Sequence, residues 1–485
     1  MTEAPAVPTG TWRALLGREH LGTATVLAGG VALYATNEFL TASLLPSAVA
    51  DIGGQRLYAW VTTVYLVASV VAATTVNSLL VRMGPRWSYL AGLAVFGTGS
   101  VLCGAAPTME LLLVGRTVQG LAGGLLAGLG YAVINAALPD RLWTRASALV
   151  SAMWGVGTLA GPAAGGLFAQ FGLWRWAFGS LAILTVAMIA LVPVALPPRR
   201  GHHTVQRTPS RTRIPVISLL LLGAAALAVS VAALPRNAAE TAGLLAAGAV
   251  LVGVFLLVDR RRSAKVLPPS AFGAGPLKWI YLTLGLLMAA AMVVMFVPLF
   301  AQRLGHLVPV AAGFLGAGLA IGWTVGEIGS ASVNNPRATA RMVTAAPLVM
   351  AVGLAVAALT QDDDIPIGSI VVWALGLLIA GAGVGMAWPH LSARAMRCVD
   401  DPAEGAAAAA AINTVQLICA AFGAGLAGVV VNLVSQNGQA GEAAAARLLF
   451  AVFAVLAALT TVASVRSSRG AAARSAASPG RLRAV

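Results

Sequence analysis

The sequence predicts an all-α polytopic membrane protein, built as two six-helix bundles with two additional central helices. Three observations lead there. Of 485 residues, 59% are hydrophobic and only 10% charged, against about 25% charged in an average soluble protein. Apolar runs of about 20 residues, the length that crosses a hydrocarbon core of roughly 30 Å, recur from one end to the other. Between the runs, basic residues are distributed as a multi-pass topology requires.

Taken in order, residues 1–21 are polar and read as a cytoplasmic segment, with no short apolar core and small-residue site that would mark a removable signal peptide. Apolar runs then fall at roughly 22–47, 57–80, 88–106, 109–138, 146–170, 176–196, 214–235, 240–258, 278–301, 308–330, 342–360, 366–391, 405–434 and 447–465, giving fourteen spans. With an even number of spans and the amino terminus inside, Arg56, Arg175, Arg236, Arg303 and Arg447 lie outside and Arg116 lies within a span. The rest of the 31 Lys and Arg fall inside, as the positive-inside rule expects. The acidic run at 361–364 lands outside. An inner (cytoplasmic) membrane location with both termini cytoplasmic follows.

Two basic, breaker-rich linkers, 197–213 and 259–277, divide the chain into a bundle at 22–196, an extra pair of spans at 214–258 and a bundle at 278–465, followed by a basic tail at 466–485. The linkers read as topology determinants, with binding of anionic lipid headgroups as the alternative.

Composition also excludes classes of function. A net charge of +15 raises nucleic acid as a partner, but the basic residues sit in short loops rather than on an aromatic-interleaved face. Cys103, Cys398 and Cys419 have no paired spacing, so neither a disulfide framework nor a metal site is expected. No phosphate-binding glycine loop or hydrolase motif is present. The chain reads as a non-enzyme without cofactor, its partners being the bilayer, a small amphiphilic substrate and protons. A monomer is expected.

The informative residues are charges in apolar runs. Glu38 lies in "ATNEFLTASLLP", and an ionised side chain near a bilayer centre costs on the order of 2.5–3.5 kcal/mol even on lenient scales, so it needs a partner or a function. Arg116 lies in "LLLVGRTVQGLAGG". Helical spacing puts Gln119, Gly120 and Gly124 on its face, small enough for a close neighbour. Gly157, Gly161 and Gly165 in "GTLAGPAAGG" form a packing groove, with Pro162 bending the span and Gly166 completing the motif.

These stretches resemble the major facilitator superfamily, and within it the fourteen-helix drug:proton antiporters. The fourth-span segment fits the family pattern R-x-x-Q-G-x-x-x-G, and the fifth-span segment fills every defined position of the antiporter pattern G-x-x-x-G-P-x-x-G-G. The first span is similar to that of twelve-helix exporters, with Asn37 in place of a Thr. "FVPLFAQRLGHLVPVAAGFLGAG" (296–318) and "AAINTVQLICAAFGAGLAG" (410–428) are similar to later spans of the fourteen-helix exporters. The loop after the second span, "NSLLVRMGPR", keeps Arg82, Gly84 and Arg86 but has Asn77, Val81 and Pro85 where the pattern has Gly, Asp and Arg. It is read as a gating element, with no weight placed on the salt bridge that forms the family's charge latch.

The resemblance implies the facilitator fold, alternating access and proton-coupled export, with Glu38 as proton site and Arg116 sharing its cavity. Export of a native lipid or metabolite is the alternative, and uptake symport a third. Tyr34, Asn37, Tyr65, Met288, Met292, Asn413 and Gln416 are candidate cavity lining, each with ordinary interhelical packing as its competing explanation. Glu327 is a second acid, expected either to titrate or to meet the Arg337 and Arg341 loop.

Overall fold

The computed structural model describes residues 11–139, 142–196, 215–234, 237–262, 265–331, 333, 335–398, 405–436 and 441–477. Among them every regular element is helical. The long helices are α1 (Leu21–Ile52), α2 (Tyr58–Ala73), α3 (Val76–Gly104), α4 (Met109–Ala132), α5 (Trp143–Gln170), α6 (Trp174–Ala195), α7 (Val216–Val231) and α8 (Ala238–Arg261). There follow α9 (Leu277–Arg303), α10 (Pro309–Ala331), α11 (Pro336–Leu359), α12 (Ile367–Arg397), α13 (Gly405–Gln436) and α14 (Glu442–Ala477). Eleven helices among the described residues are long and apolar enough to cross a membrane, and α7 is a shorter apolar helix. α1 and α5, with 32 and 28 residues, have the length, but Gly, Ala, Thr and polar residues dilute their apolar content.

Several boundaries differ from the sequence reading, each for a local reason. The second span was expected to run unbroken over 57–80. Instead α2 stops at Ala73, where the Thr74 and Thr75 hydroxyls each donate to a carbonyl three residues back, both at 2.7 Å, and helix resumes at Val76. The loop expected at 77–86 is then absorbed into α3 and turned only at Gly84, whose φ of 77° and ψ of 171° lie in a region open essentially to glycine. Pro85 starts the next turn, and the Ser88 hydroxyl donates to the Gly84 carbonyl at 2.8 Å. α1 continues through Pro46 to Ile52, α8 reaches Arg261 rather than 258, and α14 extends to Ala477 in the expected tail.

The chain divides into two compact units. The first runs through Gly54 and then from Ala68 through α6. In it α1 packs along α5, and α3 lies against α4 and α6. At one end of it Asp51 is ion-paired with Arg175 and accepts a hydrogen bond from the Trp174 indole at 3.1 Å, tying α1 to α6. Those donors hold the Asp51 carboxyl below the usual carboxylate range, Arg175 contributing most.

The second unit contains residues 55–67 and the chain from α7 onward. α9 is its central member, 89% buried over its most apolar stretch. A 3₁₀ stretch, Met292–Phe296, interrupts α9: Pro298 offers no N–H to the Val294 carbonyl, which accepts from the Val297 amide instead. The Tyr58 hydroxyl donates to the neighbouring Met295 carbonyl at 3.2 Å, and its ring stacks on Phe296. α7 is sewn into this unit: the Trp60 indole donates to the Ser230 carbonyl at 3.1 Å, and the Ser230 hydroxyl to Thr63 at 3.1 Å. Asn432 of α13 reaches the carbonyls of Arg56 and Ala233 at 3.2 and 3.3 Å. α8 packs on α7 and is only 17% buried over its span.

Candidate functional site

The candidate site is a polar seam in the first unit, inside helices that are otherwise apolar. Glu38 lies near the middle of α1, about 21 Å from its end at Ile52 by helical rise, deeper than a span ending near Pro46 implies. Its side chain is half-buried. Asn37 beside it is fully buried, and the Thr41 hydroxyl donates to its main-chain carbonyl at 2.7 Å. One turn earlier Tyr34 is buried and meets Trp154 of α5 edge-on, ring centroids 5.4 Å apart.

The glycine motif seats this part of α1. A Cβ added at Gly157 would come within 2.6 Å of the Ala35 Cβ, at Gly161 within 2.5 Å of the Phe39 Cβ, and at Gly165 within 2.4 Å of the Leu40 carbonyl oxygen. Three small residues thus let α5 approach on both sides of the Glu38 turn. The Ser43 hydroxyl donates to the Pro162 carbonyl at 3.4 Å, adding a polar contact where the proline interrupts the ladder. Gly166 is buried in the same helix.

Arg116 is 1% exposed on α4, and a buried guanidinium requires acceptors. Its Nη1 donates to Gln119 Oε1 at 2.8 Å; Gln119 Nε2 donates to Ser100 Oγ at 2.9 Å; Ser100 Oγ donates to the Phe96 carbonyl at 2.9 Å. The chain of donors crosses from α4 into α3, and Arg116 acts electrostatically on the Glu38 carboxylate. Gly124 serves the same helix differently: a Cβ there would fall 2.1 Å from the Ser69 carbonyl oxygen, so α4 and the end of α2 are in backbone contact, and the Ser69 hydroxyl donates to the Gly120 carbonyl at 3.0 Å.

Glu38, Arg116, Gln119, Asn37, Tyr34 and the α5 motif are therefore grouped in one unit. Ser100 and Trp154 complete the seam and were not singled out from sequence, because a serine or tryptophan in a transmembrane run carries no signal until its neighbour is known. Of the loop residues, Arg82 is exposed and Arg86 half-buried, and among the described residues neither is ion-paired.

The remaining candidates lie in the second unit. Tyr65, Met288 and Met292 are buried, Gln416 is half-buried and Asn413 exposed. Glu327 does not meet Arg337 or Arg341. Its carboxylate takes the Trp323 indole one turn back, while Asn335 caps α11 through the amides of Arg337 and Ala338 and leaves both arginines exposed. The Trp323 ring lies 4.9 Å from that of Trp388, and His390 Nε2 donates to the Ser330 carbonyl at 3.1 Å.

An all-helical multi-pass architecture with a half-buried acid and a buried base in one helical seam defines a membrane transporter rather than an enzyme. The Major Facilitator Superfamily model matches residues 27–424, and the chain belongs to that family. It is 68% identical over 429 residues, 88% of this chain and 90% of the other, to a Mycobacterium tuberculosis protein named "Probable multidrug-efflux transporter". It is 24% identical to Multidrug resistance protein 3 of Bacillus subtilis, over 78% of this chain and 73% of that one. Among solved structures, a bacterial homologue of the human lysosomal transporter Spinster superposes with a TM-score of 0.67 at 13% identity, covering 94% of this chain and 98% of that chain. A D-xylose–proton symporter gives 0.62 at 16% identity, covering 93% and 98%. Both share the fold.

Proposed function

We propose that this transporter is a fourteen-span, proton-coupled exporter of amphiphilic, drug-like compounds, working by alternating access with Glu38 as its proton site and both termini cytoplasmic. The observation that carries the reading is the seating of the antiporter motif on the Glu38 turn of α1, with the buried Arg116 in the same helical unit. A half-buried acid with a fixed cation nearby can exchange protons or a substrate cation without either charge being stranded in lipid. The name of the 68% identical relative supports efflux as the direction.

The driving force is adequate. One charge crossing 100 mV releases about 2.3 kcal/mol, enough for roughly a 50-fold substrate gradient. Glu327, beside its tryptophan pair, is the second acid, a candidate for a second proton or for a cationic substrate group.

The test is transport into inverted vesicles under an imposed pH gradient with a panel of cationic dyes, neutral drugs and lipids. Gradient-driven accumulation of the amphiphiles is expected, and Glu38→Gln should reduce it at least tenfold. Unchanged coupling in that variant removes Glu38 from the role, and accumulation indifferent to the proton gradient removes antiport.

A further inference from the structure

The basic stretch after α8 is a built structure. Asp259, fully buried in the last turns of α8, accepts from Ser218 Oγ and the Val266 amide at 2.8 Å each through Oδ1, and from the Leu267 amide at 3.0 Å through Oδ2. Both carboxylate oxygens are thus committed to fixing the chain where it leaves the helix, and α7 is held to the same point. Beside this turn lies a cavity of about 520 Å³ lined by Arg261, Arg262 and Lys265 together with the apolar residues 266–269. Among the described residues none of these three cations is ion-paired. Like charges gathered without a counterion create a focused positive potential that an anion relieves.

The setting says where the anion comes from. Arg261 closes a helix apolar enough to cross the membrane and little covered by protein. Val250, Val254 and Leu257 are exposed at helical spacing on α8, a stripe that leads one turn further to Arg261. At the start of α9, in the same unit, Trp279 has the Arg466 guanidinium 4.6 Å from its ring and the Lys278 ammonium 6.0 Å away. Aromatics flanked by cations mark the headgroup level of a bilayer.

We infer that this cavity binds the headgroup phosphate of an anionic phospholipid, held by Arg261, Arg262 and Lys265 with the acyl chains along the Val250–Val254–Leu257 stripe. Each basic residue near such a surface is worth about a fivefold change in lipid affinity. The purified full-length protein is reconstituted in nanodiscs of phosphatidylcholine doped with fluorescent phosphatidylglycerol or with fluorescent phosphatidylcholine at equal mole fraction, and energy transfer from its tryptophans to the probe is measured. Enrichment of phosphatidylglycerol is expected, falling at least tenfold in R261Q/R262Q/K265Q and unchanged in R18Q/R341Q. If the triple variant does not fold, Lys265→Gln alone gives the graded loss of about fivefold. Equal enrichment of both lipids, or enrichment that survives the triple and single substitutions, overturns the site. So does full displacement of the lipid by millimolar glycerol phosphate, which assigns the cavity to a soluble phosphate.

Discussion

At the scale of single residues, the seam around Glu38 is held by bonds that can be removed one at a time. Gln119→Leu leaves the Arg116 guanidinium without its 2.8 Å acceptor and Ser100 without its donor. A lost hydrogen bond to a buried charge costs about 1.5–3 kcal/mol, so thermal unfolding in detergent should shift clearly downward, with Ser100→Ala giving the smaller part. The Asp51 contact predicts a pH dependence. Its folded carboxyl titrates below the unfolded one because Arg175 and Trp174 stabilise the anion. The contact therefore contributes fully at neutral pH and fades as pH falls below about 4. Wild type and Asp51→Asn should differ in melting temperature at pH 7 and converge toward pH 3; a gap that persists in acid would show that the ion pair is not its source.

At the scale of helices, the glycine motif makes a sharp contrast. Gly165→Ala drives a methyl toward the Leu40 carbonyl, and overpacking of that kind costs about 1–3 kcal/mol. Gly155, two residues before the motif begins, has nothing within 4 Å of an added Cβ, so Gly155→Ala should be neutral or stabilising by up to about 1 kcal/mol. Gly84→Ala should cost about 1–3 kcal/mol through backbone strain alone, measurable as a lower unfolding midpoint without loss of helix content.

Much of this scale was legible in the sequence, because a run of 20 apolar residues admits few structures and Glu38 and Arg116 stand out against it. What was not legible arises between helices or from single backbone groups. The break at Thr74 and Thr75 depends on two hydroxyls turning back on their own carbonyls. The 3₁₀ stretch in α9 depends on Pro298 and on Tyr58 some 240 positions away. Asp259 read as one more linker charge because the span was ended at 258, one residue short of the side chain that organises the turn.

At the scale of the molecule, the tightest coupling between polarity and packing occurs where the chain departs from a plain bundle. Glu38 is placed by α5, Arg116 by α3, and Glu327 by its own helix through Trp323. Each ionisable group thus draws its position from a helix or indole near it, and Glu327, in the second unit, should respond to substitution separately from Glu38 and Arg116. Double substitution of Gln119 and Asp51, which share no partner, should be additive in stability within about 0.5 kcal/mol.

The anchoring of α7 bears on how such a chain is lengthened or shortened by engineering. Trp60, Thr63, Asn432 and Asp259 all spend hydrogen bonds on α7 or the turn that follows it. Cutting out the pair of helices to make a twelve-helix version would therefore strand the Trp60 indole, whose acceptor lies on α7, whereas shaving exposed leucines and valines from α8 alone would strand nothing. The extra pair is one keystone and one buttress, and only the exposed face of the buttress can be rebuilt freely.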